Sequence, residues 1–301
     1  MKLIKKSLAV IVATLFATTS LFSIPAFADM EFSVSPMSQR IVLTPGEDYS
    51  GTFEVISPVY NQDDFYYKLS IEPFSVDEKY DVLFESNGDY NQIVDWVELE
   101  SEKGVVAPNE IAHINFTIHT PETAPAGGQY AIIRVTSDYE KQEASSENGL
   151  SIRNVMSIAH ILYAEVAGET ERSGEIINAN VPSFLFSGDI SGSAIVKNTG
   201  NVHSDAVYTL QVFPLFSNEE IYTNEENPET SLIIAGATRS SVVAWEGTPK
   251  LGIFHVVFNA EFEGAHTTID KYVIVCPLWL LFLIALALIF LLFRILKTKK
   301  Q

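Results

Sequence analysis

The sequence predicts an all-β protein: two tandem immunoglobulin-like β-sandwiches without disulfides, followed by one transmembrane α-helix. Three observations predict it. Short runs of alternating apolar and polar residues recur from Phe32 to Val275, which is the period of a half-buried strand. The single cysteine, Cys276, has no partner in the chain, so burial alone must stabilise domains of ordinary size. The stretch Tyr272–Phe293 contains no charged residue, and at 1.5 Å per residue it covers roughly 33 Å, enough for a bilayer core.

The elements follow in order. Lys2, Lys5 and Lys6 precede an apolar run, Leu8 to Phe22, then Pro25 and the small-x-small triplet Ala26-Phe27-Ala28. That order reads as a signal peptide over residues 1–28, cut after Ala28. Residues 29–168 form the first immunoglobulin-like domain. Its strands are expected at Arg40–Leu43, at Thr52–Ile56 after the Pro45-Gly46 turn, and at Tyr66–Ile71. Further strands are expected at Ala112–His119, Gly128–Ser137 and Leu150–Val166, the last two joined by a polar loop over Glu140–Gly149. A glycine-bounded polar linker occupies residues 169–174. The second domain, residues 175–271, repeats the pattern in strands at Ile176–Phe186, Ile190–Lys197 and Ala206–Phe213. It continues through Leu232–Ile234, Ser240–Trp245, Ile253–Phe262 and Thr267–Val275. About seven short strands in some hundred residues suit an immunoglobulin-like sandwich. The membrane helix is expected over 272–293, with Pro277 in its first turn and Trp279 near the outer edge. Arg294, Lys297, Lys299 and Lys300 make residues 294–301 a basic cytoplasmic tail. The chain is therefore expected in the cell membrane, single-pass type I, with its mature N-terminus outside.

Charge narrows the partners. Of 19 Lys and Arg, three lie in the leader and four in the tail, so 12 face all 38 Asp and Glu outside, a net charge of −26. Such a field repels nucleic acid, and is equally the charge of a soluble surface domain. No motif for a cofactor or a metal is present. The six histidines lack the helical spacing of a zinc protease, and solvated surface positions are expected for them. No acidic cluster has the spacing of a preformed calcium loop. A glycosidase-like carboxylate pair would need two acids brought close together by separate strands.

Binding candidates are aromatic residues in polar surroundings and two adjacent glycines. Tyr66, Tyr80, Tyr90 and Trp96 would stack on sugar rings if exposed; covered by the excursion Pro73–Lys103, they would be packing residues. Gly127 and Gly128 follow Pro125 and mark either a sharp turn or a ligand approaching bare backbone.

Two segments, Leu43-Thr-Pro-Gly-Glu-Asp-Tyr-Ser-Gly-Thr-Phe-Glu-Val55 and Ala124-Pro-Ala-Gly-Gly-Gln-Tyr-Ala-Ile-Ile133, with the order of leader, two sandwiches, helix and basic tail, resemble the WxL-interacting surface proteins of Gram-positive bacteria. The resemblance implies a first domain of peptidoglycan-binding type and a non-enzymatic surface role. The distal domain would bind peptidoglycan or a surface protein. Two alternatives stay open: an assembly accessory that pairs with another surface protein through a sheet edge, and a wall-modifying hydrolase.

Overall fold

The computed structural model describes residues 31–298 apart from 78, 87, 139–154 and 218, with side chains of the terminal helix described as far as Leu292. The expected signal peptide (1–28) and the expected loop over 140–149 lie outside the described residues.

The first sandwich uses β1 Ser33–Ser35, β2 Ser38–Leu43, β3 Asp48–Ile56, β4 Phe65–Pro73, β5 Ser75–Val76, β6 Val82–Leu83, β7 Val97–Leu99, β8 Lys103–Val106, β9 Ile111–His119, β10 Gly127–Ser137 and β11 Ser157–Val166. One sheet has the order β1-β3-β9-β7 and the facing sheet β2-β11-β10-β4-β8. The chain changes sheets between β1 and β2, at Pro36, whose ring nitrogen has no hydrogen to donate to either ladder. β2 then runs parallel to β11, Ser38 opposite Ile161 through Leu43 opposite Val166. Period-2 alternation places Phe53, Val55, Ile114, Phe116 and Ile118 from one sheet against Phe65, Ile133, Leu162 and Ala164 from the other, the interdigitating core of a β-sandwich.

The second sandwich uses β12 Gly174–Asn180, β13 Phe184–Leu185, β14 Ile190–Asn198, β15 Ser204–Pro214, β16 Tyr222–Thr223, β17 Glu229–Ile233, β18 Thr238–Trp245, β19 Gly252–Phe262 and β20 Ala265–Val275. A three-stranded sheet, β12-β14-β18, faces a six-stranded one, β13-β20-β19-β15-β16 with β17 also on β15. Tyr208, Leu210, Val212, Val256, Phe258 and Phe262 are buried between them. The expected single strand Ile176–Phe186 is two: β12 carries a register shift between Ile176 and Asn178, and β13 crosses to pair parallel with the end of β20.

The apolar run expected as helix from Tyr272 starts as strand. Val273 and Val275 alternate into the core and pair with Phe254 and Gly252, so the sheet holds this segment through Val275. Cys276, expected within the span, is buried at the foot of the sandwich, its N–H donating to Leu185 O at 2.8 Å. One α-helix follows, α1 Leu278–Thr298, of 21 residues. Among the described residues no helix is long and apolar enough to cross a membrane.

Candidate functional site: the domain junction and an open sheet edge

A third buried cluster joins the two sandwiches. Phe74, Tyr130 and Ile132 from the first pack on Ile234 and Ala235 in the β17–β18 connection of the second. Tyr130 is fully buried, because alternation along β10 turns it away from its own core and toward the second domain. Its ring lies 6.2–6.4 Å from Tyr90, Phe74 and Tyr163, and 5.9 Å from His203. Its hydroxyl accepts the Ala235 N–H at 3.1 Å, which satisfies a backbone donor that the junction removes from water. Burial raises the Tyr130 phenol far above its usual range, and pushes that of Tyr163 up to about 12.

Polar contacts ring this cluster. Arg40 and Asp205 form a two-pronged pair, with Nη2 at 2.7 Å from Oδ1. Arg172, on the connection between the domains, reaches Glu165 at 2.6 Å, Ser204 Oγ at 3.0 Å and His203 O at 3.2 Å. These groups line a cleft of about 380 Å³ that also takes in Glu263. The solvated position expected for His203 is overturned: it is 7 % exposed and its Nδ1 has no hydrogen-bond partner among the described residues. Burial, reinforced by the Arg40 charge, pushes its imidazole down to about 4, so it is neutral at pH 7. His160 is buried as well, stacked on Phe53 at 4.4 Å with Nδ1 2.7 Å from Pro36 O. His160 lies on β11 and His203 just before β15, and their aromatic neighbours accept a neutral imidazole as a flat ring.

The six residues proposed from sequence fall in two places. Tyr80, Tyr90, Gly127 and Gly128 gather at the junction. Tyr80 donates to Leu232 O at 2.7 Å, accepts the Ile234 N–H at 3.3 Å and has the Arg239 guanidinium 4.5 Å above its ring. The excursion Pro73–Lys103 thus delivers rings to the neighbouring domain. Gly127 has φ +121°, and a Cβ there would lie 2.6 Å from Asn201 O. Gly128 donates its N–H to the same oxygen at 2.7 Å. What approaches the bare backbone is therefore the second sandwich. Trp96 is 8 % exposed in the core of the first sandwich, and Tyr66 is half-buried on β4 opposite Val105. No sequence signal marked Tyr130, Tyr163 or His203, since nothing local distinguishes an outward face that meets solvent from one that meets a domain.

A second feature is a bare edge. β18 pairs with β14 from Trp245 opposite Ile190 to Thr238 opposite Lys197, and its other flank pairs with no described strand. Arg239 and Ser241 point inward, reaching Leu232 O and Ser231 Oγ on β17. The outward residues are Thr238, Ser240, Val242 (61 % exposed) and Ala244, with no proline and no charge among them. The rest of that outer face is Ser191, Ser193, Ile195, Asn178 and Asn180, and its one charged pair, Glu175 opposite Lys197, sits at the end near the first domain. Natural sheets protect edges with lysine, proline, a bulge, shortness or an inward-pointing charge. β12, on the opposite side of this sheet, has a register shift; β18 has one inward charge, Arg239 near its start, and no proline, outward charge or bulge along Ser240–Trp245.

Among the described residues, no group of three His, Cys, Asp or Glu is placed to hold a metal ion. Asp138 is a buried carboxylate, 2.9 Å from Lys68 Nζ.

No family model matches the chain, and no curated protein matches it. Among solved structures, the class 5 fimbriae chaperone CfaA is 13 % identical with a TM-score of 0.39, covering 81 % of this chain and 99 % of its own. The E. coli chaperone DraB is 10 % identical with a TM-score of 0.35, covering 80 % and 98 %. A family 123 glycoside hydrolase from Clostridium perfringens is 11 % identical with a TM-score of 0.29, covering 46 % and 28 %. Likenesses this distant carry no argument about what this chain does.

Proposed function

We propose that this chain is a non-enzymatic, membrane-anchored extracytoplasmic protein that binds a protein partner by strand addition along β18. The observation that carries the reading is the unpaired edge at Thr238–Trp245, beside an outer face that is uncharged over most of its area in an ectodomain of net charge −26. Main-chain hydrogen bonds along such an edge supply affinity, while side chains on alternate positions supply specificity. An uncharged face also spares a partner the cost of desolvating ions. The matching segment would be extended, with small or β-branched residues at the positions facing Ser240, Val242 and Ala244.

Anchoring is part of the proposal. It rests on the charge-free run through Phe293 followed by Arg294 and Lys297, and on the leader-like order of residues 1–28. The resemblance to WxL-interacting surface proteins supports a surface protein as the partner. Stacking on wall sugars is the less favoured reading, since Trp96, Tyr80 and Tyr90 are engaged inside the fold.

Photo-crosslinking tests it. A benzophenone side chain at Ala244 on intact cells is expected to trap one extracytoplasmic protein, and Val242→Lys in the same chain is expected to abolish that adduct without changing the thermal melt. An adduct that survives Val242→Lys, or that forms equally from Val59 in the first domain, would sink strand addition at β18. Resistance of the full chain to alkaline carbonate extraction checks the anchor separately.

A further inference from the structure

Three connections meet at the end of the second sandwich where β20 leads into α1. They are residues 186–189 between β13 and β14, 215–221 between β15 and β16, and 246–251 between β18 and β19. Each presents a large apolar side chain: Phe186 is 47 % exposed, Phe216 96 % and Leu251 59 %. The register extends this surface up the outer face of the sheet, with Phe184 opposite Ile274 and Ile274 opposite Ile253, all three exposed. Between the connections and the first turn of α1 lies a recess of about 320 Å³, lined chiefly by Phe186, Leu251, Val275, Pro277, Trp279 and Leu280.

We infer that this end of the sandwich is a membrane-docking surface, with Phe186, Phe216 and Leu251 entering the interfacial layer of the bilayer and the recess taking part of a phospholipid acyl chain. The inference rests on the reading that α1 is a membrane anchor, and adds that the folded domain itself is seated in the lipid. Continuity is the main argument. Phe186 and Leu251 share one recess with Pro277, Trp279 and Leu280 at the start of the helix, so a helix that enters the bilayer there carries these connections close to its surface. Exposed apolar side chains on separate loops at one end of a domain also need a cover, and among the described residues no part of the chain supplies one.

Charge selects the lipid. Lys250 at the recess is outnumbered by Asp189, Glu219, Glu220 and Glu246 on the same connections. Docking therefore proceeds by apolar burial, which favours zwitterionic headgroups, and not by attraction to anionic ones.

The test uses the full chain carrying Cys276→Ser, with a single fluorophore-labelled cysteine introduced as Phe216→Cys, Leu251→Cys, Leu283→Cys or Val59→Cys. Each variant is placed in phosphatidylcholine nanodiscs containing lipid with a nitroxide near the headgroup end of its acyl chain. Quenching at 216 and 251 is expected to exceed that at 59 several-fold, and to fall when phosphatidylglycerol replaces half of the lipid. Strong quenching at 283 with 216 and 251 no different from 59 would overturn docking while leaving the anchor standing. Absence of quenching at 283, 216 and 251 alike would overturn both, and quenching at 216 and 251 alone would support docking while removing the anchor.

Discussion

The two ends of the second sandwich carry similar apolar loop residues and meet different fates. At the end facing the first domain, Ile234 and Ala235 are buried against Tyr130 and Phe74, with Tyr80 bonded to the Ile234 N–H. At the other end Phe186, Phe216 and Leu251 stand exposed, with only α1 beside them. The covering differs: protein at one end and, on the reading above, lipid at the other.

That comparison predicts a steep difference in sensitivity to substitution. The largest effect is expected at Tyr130. Tyr130→Ala removes a fully buried ring and strands the Ala235 N–H, at a cost of about 3–5 kcal/mol in denaturant unfolding. Phe216→Ser at the bare end is expected to cost within about 0.5 kcal/mol in detergent. Equal costs at the two positions would break the contrast.

Second is the pH dependence carried by His203. Its folded-state pKa of about 4 lies below the ordinary 6.5, so the unfolded chain binds the proton more readily. Its contribution to stability is complete above pH 6.5 and is lost as pH falls toward 4, up to about 3 kcal/mol in all. His203→Gln is expected to flatten the melting midpoint between pH 7 and 4.5 relative to the native chain; an unchanged slope would show that the imidazole is not buried at the junction.

Third, Gly127→Ala forces a Cβ into a left-handed position facing Asn201 O, for about 1–3 kcal/mol. Accelerated proteolysis at the connection around Arg172 is the expected readout, since the strain separates the domains before it unfolds either. The smallest effect is expected for Arg40→Ala, which breaks an ion pair exposed on both sides and costs about 0.2–1 kcal/mol. A double-mutant cycle with Asp205→Ala measures it. A coupling well above that range would mean the cleft is drier than the exposure of its side chains implies.

Much of the fold was legible in the residues. Alternation at Ala112–His119 or Ile253–Phe262 specifies one buried face whatever lies around it, because a strand turns every second side chain to the same side. The missing cysteine partner excluded disulfides with equal directness. Alternation fails where both faces are buried. Gly127–Val135 on β10 is buried nearly throughout, since one face lines the first core and the other meets the second domain. Tyr80 and Tyr90 were visible as aromatics in polar surroundings, a local property. Their partners, Tyr130, Leu232 and Ile234, are 40 to 154 residues away, and no local pattern encodes that distance.

By itself, then, the sequence determined strands, turns, the charge-free run before the basic tail and the absence of disulfides, because each depends on neighbours along the chain. Only the tertiary structure decided that β20 keeps Tyr272–Val275 from the helix, that His160 and His203 are buried, that the two glycines admit a neighbouring domain, and that β18 is left without a partner strand. Those outcomes depend on which surfaces come together, and one face of a strand carries the same alternation whether it meets water, a domain or another chain.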